Sequence, residues 1–135
     1  MTTLAIELKE CKVSKILIVD DDPDIQEACR LVLEKEGFQV KCASNRVEGL
    51  RQVADVKPDL LILDVMMEEP DDGLTMAREL RRQGFAQPII MLTSVNAAMG
   101  LTIDRDDEIV PVEKFQSKPV EPATLVAQVN ELLGL

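Results

Sequence analysis

Short runs of Ile, Val and Leu alternate along this chain with stretches whose apolar residues recur at helical spacing, the sequence sign of βα units wound into a parallel sheet. The first run, Lys15-Ile-Leu-Ile-Val19, is continuous rather than alternating, as a strand covered on both faces must be. A helix is predicted from Pro23, which suits a first turn, through Ile25, Ala28, Cys29, Leu31 and Val32 to a stop at Gly37. Phe38 to Ala43 follows as a second strand. Val47, Leu50 and Val53 mark a helix capped by Ser44 or Asn45 and ended before Pro58, and Leu60-Leu-Ile-Leu63 forms a third buried strand.

Beyond a loop rich in Glu, Pro and Asp, Leu74, Ala77 and Leu80 share one face of a helix that stops at Gly84. Pro88 introduces a fourth strand, Ile89-Ile-Met-Leu92. A further helix is expected around Asn96 to Ile103, running into the acidic segment 104–108. A fifth strand spans Val112 to Gln116, and Leu125, Val129, Leu132 and Leu133 mark a final helix. Five strands and five helices are thus expected, an α/β architecture.

With 135 residues, 46% of them hydrophobic, the chain can build one core and is too short for two. Twenty-five acidic against 15 basic residues give a net charge of −10, which argues against direct nucleic-acid binding. Three Phe are the only aromatics, leaving few platforms for stacking bases or flavins. The absence of His removes Ser-His and Cys-His nucleophile pairs and the common zinc sites. Cys11, Cys29 and Cys42 are odd in number and widely spaced, so a reduced cytoplasmic setting is expected, with Cys29 and Cys42 as small buried hydrophobes. No run approaches the ~20 apolar residues that span a bilayer, so no membrane partner is expected.

In an open parallel sheet, ligands bind outside the carboxyl ends of the strands. The first strand ends there in Asp20-Asp21-Asp22, the third in Asp64, the fourth in Thr93-Ser94 and the fifth in Ser117-Lys118-Pro119. Two carboxylates about 5 Å apart repel by about 3 kcal/mol at an effective dielectric near 20, so a cation must share the site. Lys118 neutralises one charge, and hard carboxylate oxygens without imidazole or thiolate suit Mg²⁺. A carboxylate beside Mg²⁺ can attack phosphorus and become an aspartyl phosphate.

These segments, in this order, resemble the receiver (CheY-like) domain of two-component response regulators. The likeness rests on Ile16-Leu-Ile-Val-Asp20-Asp21-Asp22-Pro23, Pro58-Asp-Leu-Leu-Ile-Leu-Asp64-Val-Met-Met67, Leu92-Thr93-Ser94 and Phe115-Gln-Ser-Lys118-Pro119. It implies a flavodoxin-like doubly wound fold with strand order 2-1-3-4-5, residues 14–135 forming the receiver and 1–13 an N-terminal extension. It also implies that Asp64 accepts a phosphoryl group from a histidine kinase or phosphotransfer protein. Asp20, Asp21, Asp64 and the backbone carbonyl of Met66 would hold Mg²⁺, while Thr93 and Lys118 would contact the phosphoryl group. Phe115 occupies the switch-aromatic position, coupled to a face made by the fourth helix, fifth strand and final helix.

The expected role is therefore a signalling module acting through a downstream protein target rather than an enzyme, with a homodimer left open. A degenerate receiver that only docks proteins is the alternative, motivated by two departures. The segment 68–73 is one residue longer and more acidic than the family commonly has, and the stretch before the fifth strand is longer. A phosphatase of the aspartyl-phosphate type would need an acid where Met66 stands, and a flavin carrier would not place Asp-Asp-Asp in its first βα turn. With no DNA-binding helices present, output is expected to come through a partner or a further part of a longer protein.

Overall fold

The computed structural model describes residues 13–67, 72–93 and 112–135. Five parallel strands form one sheet: β1 (Lys15–Val19), β2 (Gln39–Ala43), β3 (Leu60–Asp64), β4 (Ile89–Thr93) and β5 (Lys114–Ser117). They lie in the order β2-β1-β3-β4-β5, the expected doubly wound arrangement. Four helices are described: α1 (Pro23–Lys35), α2 (Arg46–Val56), α3 (Asp72–Arg82) and α4 (Pro122–Leu133). The helix expected around 96–103 and the N-terminal extension up to residue 12 lie outside the described residues.

The period of two along each strand divides the core into two layers. Leu17, Val19, Leu61, Leu63, Ile89 and Met91 pack with Leu74, Met76, Ala77 and Leu80 of α3, and Leu50 and Val53 of α2 join them. Ile16, Ile18, Leu60, Ile62, Ile90 and Leu92 face the other way, against Cys29 and Leu33 of α1 and Leu125 and Val129 of α4. β1, β3 and β4 are buried on both faces, which explains why their sequences are unbroken apolar runs.

Several boundaries and faces differ from expectation. β2 begins at Gln39 because the Phe38 N–H donates to the Leu33 carbonyl, closing α1 rather than opening the strand. β5 runs two residues later than its apolar pattern suggested at the start, in register with Ile90 to Thr93. On α1 the buried stripe runs through Cys29 and Leu33, while Ala28 and Leu31 face solvent. On α2 it is Gly49 that is buried and Val47 that is 72% exposed. Gly49 has a packing reason to be glycine, since a Cβ there would lie 2.9 Å from Met76 Cε and 3.1 Å from Val19. Of the two cap candidates Asn45 serves, its side chain accepting from the Glu48 N–H at 2.8 Å.

Candidate functional site

The carboxyl ends of the strands are held level by ladder bonds that continue past the strands themselves. Asp20 N–H donates to Ala43 O (3.0 Å), Val65 N–H to Leu92 O (3.0 Å) and Lys118 N–H to Thr93 O (2.7 Å). Residues that follow the strands are therefore fixed almost as firmly as the strands. Asp20 and Asp64 are 0% and 4% exposed at this edge, and Thr93 is buried beside them.

One carboxylate oxygen from each of Asp20, Asp21 and Asp64 lies within 4.8 Å of the others. Lys118 Nζ stands 3.1 Å from Asp20 Oδ2 and 3.3 Å from Asp64 Oδ1. Asp21, Asp22, Asp64, Val65, Met66, Thr93 and Lys118 line a cleft of about 170 Å³ over this cluster. The structure brings six of the residues singled out from the sequence, Asp20, Asp21, Asp64, Met66, Thr93 and Lys118, to one end of the sheet. Phe115 does not line the cleft; it is half-buried on β5 against the layer that contains Met91.

The first helix needs only one of the three consecutive aspartates as its cap. Asp22 takes that role, accepting from the Asp24 N–H at 2.9 Å. Asp20 Oδ1 accepts from the Asp22 N–H at 2.9 Å, and Asp21 remains exposed at the mouth of the cleft.

Charge at the site is unbalanced. Burial first, and then the charge on Asp20, push Asp64 up to about 7, although Lys118 and a hydrogen bond from the Met66 backbone favour its ionised form. Burial opposes the charge on Lys118, but Asp20 and Asp64 outweigh it and raise its pKa. One ammonium faces three carboxyl groups in a partly dry cleft, so acidic groups outnumber basic ones there. Asp20 Oδ2 is buried, and among the described residues the cation beside it is Lys118. A buried carboxylate held by a single ammonium, two further carboxylates converging with it and an excess of negative over positive groups fit a hard divalent cation such as Mg²⁺.

Three supporting residues carry no signal of their own in the sequence. Gly73 opens α3 so close to β3 that a Cβ would stand 2.0 Å from the Asp64 carbonyl oxygen, and its N–H donates to Val65 O at 2.8 Å. Arg46 lies 3.5 Å from buried Asp72 and 3.5 Å from Glu79, joining α2 to α3. Gln26, on α1, hydrogen-bonds to the ends of β1 and β2. Of the cysteines, Cys29 is buried as expected and Cys42 only half-buried. Burial raises both thiols, Cys29 to about 11, which makes Cys29 an inert part of the core.

Residues 16–130 match the family model of the response regulator receiver domain. The chain belongs to that family. Among curated relatives, this receiver is 35% identical over 123 residues to the alkaline phosphatase synthesis transcriptional regulatory protein PhoP of Bacillus subtilis, covering 88% of this chain and 48% of that protein. It is 37% identical over 123 residues to response regulator MprA of Mycobacterium leprae, covering 88% of this chain and 50% of that one. The receiver thus spans about half the length of the curated relatives it matches. A solved response regulator from Chloroflexus aurantiacus superimposes with a TM-score of 0.80 at 32% identity, covering 92% of this chain and all of that one. The BeF₃-activated receiver domain of Klebsiella pneumoniae RstA superimposes at 0.77 and 30% identity, covering 90% of this chain and 100% of that one. Among the described residues, no helix is long and apolar enough to cross a membrane.

Proposed function

We propose that this receiver is a phosphoacceptor switch: Asp64 takes a phosphoryl group from a phosphohistidine on a kinase or phosphotransfer protein, and the product has altered affinity for a downstream protein. The single observation that carries this reading is the convergence of Asp20, Asp21 and Asp64 on one point with Lys118 against two of them.

In the reaction, an ionised Asp64 oxygen attacks phosphorus, a P–O bond forms, and the P–N bond to the donor imidazole breaks with its electron pair leaving on nitrogen. Asp20, Asp21, Asp64 and the Met66 carbonyl would hold Mg²⁺, which when bound supplies positive charge against both the carboxylates and the transferring oxygens. Lys118 offers its ammonium to the incoming oxygens as a point charge that is already in place, so no reorganisation is needed at the moment of transfer. Thr93 offers a hydroxyl at the same cleft, on the same strand face as Met91, whose register partner on β5 is Phe115. In the signalling role proposed here, engagement of Thr93 by the phosphoryl group favours a different packing of Phe115, which alters the surface around β5 and α4. The domain contributes chemistry to its own modification and turns over no external substrate. Its proposed setting is the cytoplasm.

Incubation with acetyl phosphate and Mg²⁺ tests the reading by intact mass. One added phosphoryl group per chain is expected, with none when EDTA replaces Mg²⁺ and none in Asp64→Asn. A chain that remains unmodified with acetyl phosphate and with kinase donors would contradict it and leave the docking-only receiver standing.

A further inference from the structure

Gln26, the fourth residue of α1, is half-buried. Its Nε2 donates to the carbonyl oxygen of Asp20, to that of Ala43 at 3.3 Å, and meets Ser44 Oγ at 3.2 Å. Two carbonyl oxygens accept but cannot donate, so the amide must turn its nitrogen toward them and its oxygen away. The side chain therefore bridges the ends of two paired strands, since Asp20 N–H itself donates to Ala43 O at 3.0 Å.

The Asp20 carbonyl belongs to the peptide plane that joins Asp20 to Asp21. The Asp20 N–H is held on Ala43, the Asp20 carbonyl on Gln26 and Asp20 Oδ1 on the Asp22 N–H, so a rotation of the Asp20–Asp21 peptide plane breaks the Gln26 bond. In this arrangement one carboxylate oxygen each of Asp20, Asp21 and Asp64 lies within 4.8 Å of the others.

We infer that Gln26 is a positioning residue for the cation centre: by holding the Asp20–Asp21 peptide plane it sets the affinity of the two aspartates for Mg²⁺, while touching neither the cation nor the phosphoryl group. The inference rests on the proposed metal-assisted reading of the site. Partners that orient metal ligands commonly change affinity by about 10–100-fold when removed, which sets the scale expected here.

The test uses calorimetric Mg²⁺ titration of the full chain, with amide NMR of the metal-free protein as a second readout. Gln26→Met keeps the length of the side chain and removes its donors; it is expected to weaken Mg²⁺ binding about 10-fold and to shift the Asp21 amide resonance before any metal is added. Gln26→Arg restores N–H donors and is expected to recover most of the affinity. Arg30→Ala, which removes ion pairs to Glu27 and Glu34 one turn further along α1, is expected to leave the affinity within twofold of wild type. Equal affinity in Gln26→Met and wild type, failure of Gln26→Arg to recover it, or an equal loss in Arg30→Ala would each overturn the inference alone. A wild-type chain that binds no Mg²⁺ would overturn the metal reading together with it.

Discussion

Asp64 does its proposed work in a place that resists its charge. Its pKa is raised from the ordinary value near 4 to about 7, so across that window the folded chain keeps a proton that the unfolded chain has released. This contribution to stability is full below about pH 4 and is lost as pH rises through about 7. The metal-free protein is therefore expected to lose stability between about pH 4 and 7, and Asp64→Asn to flatten that fall, being more stable than wild type at pH 8 by about 2 kcal/mol. Far-ultraviolet circular dichroism of thermal unfolding measures this, the chain having no Trp or Tyr to report by fluorescence. Lys118→Met should act in the opposite direction. It removes the ammonium paired with Asp20 and Asp64 and is expected to cost about 3 kcal/mol without metal, with Mg²⁺ restoring more stability to the variant than to wild type. At this scale the sequence was informative because Asp, Thr and Lys stood at strand ends, where the chemistry of a site is assembled. Gln26 and Gly73 were silent because what they do depends on which carbonyl comes near them, a property of tertiary packing rather than of spacing.

Helices and strands carry these residues to one edge, and their own sequence reasons are uneven. The buried strands were plain in the chain because a two-sided cover demands unbroken apolar runs. β5 was shifted because, as an edge strand, it mixes Lys114 and Gln116 with Phe115, and only pairing with β4 fixes its register. The faces of α1 and α2 were partly misjudged because apolar residues such as Leu31 and Val47 also occur on solvated faces, so a hydrophobic count alone does not orient a helix. α3 is the element most tightly tied to the site. Gly73→Ala forces a methyl group against the backbone of Asp64 and is expected to destabilise the protein by at least about 2 kcal/mol and to slow modification of Asp64. Gly84→Ala, at the other end of α3, has open space around it and only a φ of +94° to oppose it. It is expected to cost about 1 kcal/mol and to leave modification unchanged. Denaturant unfolding together with the phosphorylation rate separates the two.

Viewed whole, the domain is two apolar layers on one parallel sheet, with Asp20, Asp21, Asp64 and Lys118 clustered at its carboxyl rim. The carboxylates there repel one another, so the fold without a cation is held below the stability its core could support. Binding of Mg²⁺ only to the native state is expected to raise the unfolding midpoint, by about 10 °C at a hundredfold excess over its dissociation constant, and Asp21→Ala to abolish most of the rise. Because the curated relatives are about twice as long as the matched region, the signal generated at this rim is proposed to be passed on by surfaces of a longer regulator or of a partner.

The most direct test locates the phosphoryl group itself. After incubation with acetyl phosphate and Mg²⁺, hydride reduction converts an acyl phosphate on aspartate to homoserine, and peptide sequencing by mass spectrometry identifies the converted residue. Homoserine at position 64 alone is the expected result; conversion at position 20 or 21, or at no residue of a chain that has gained phosphate, would contradict the account.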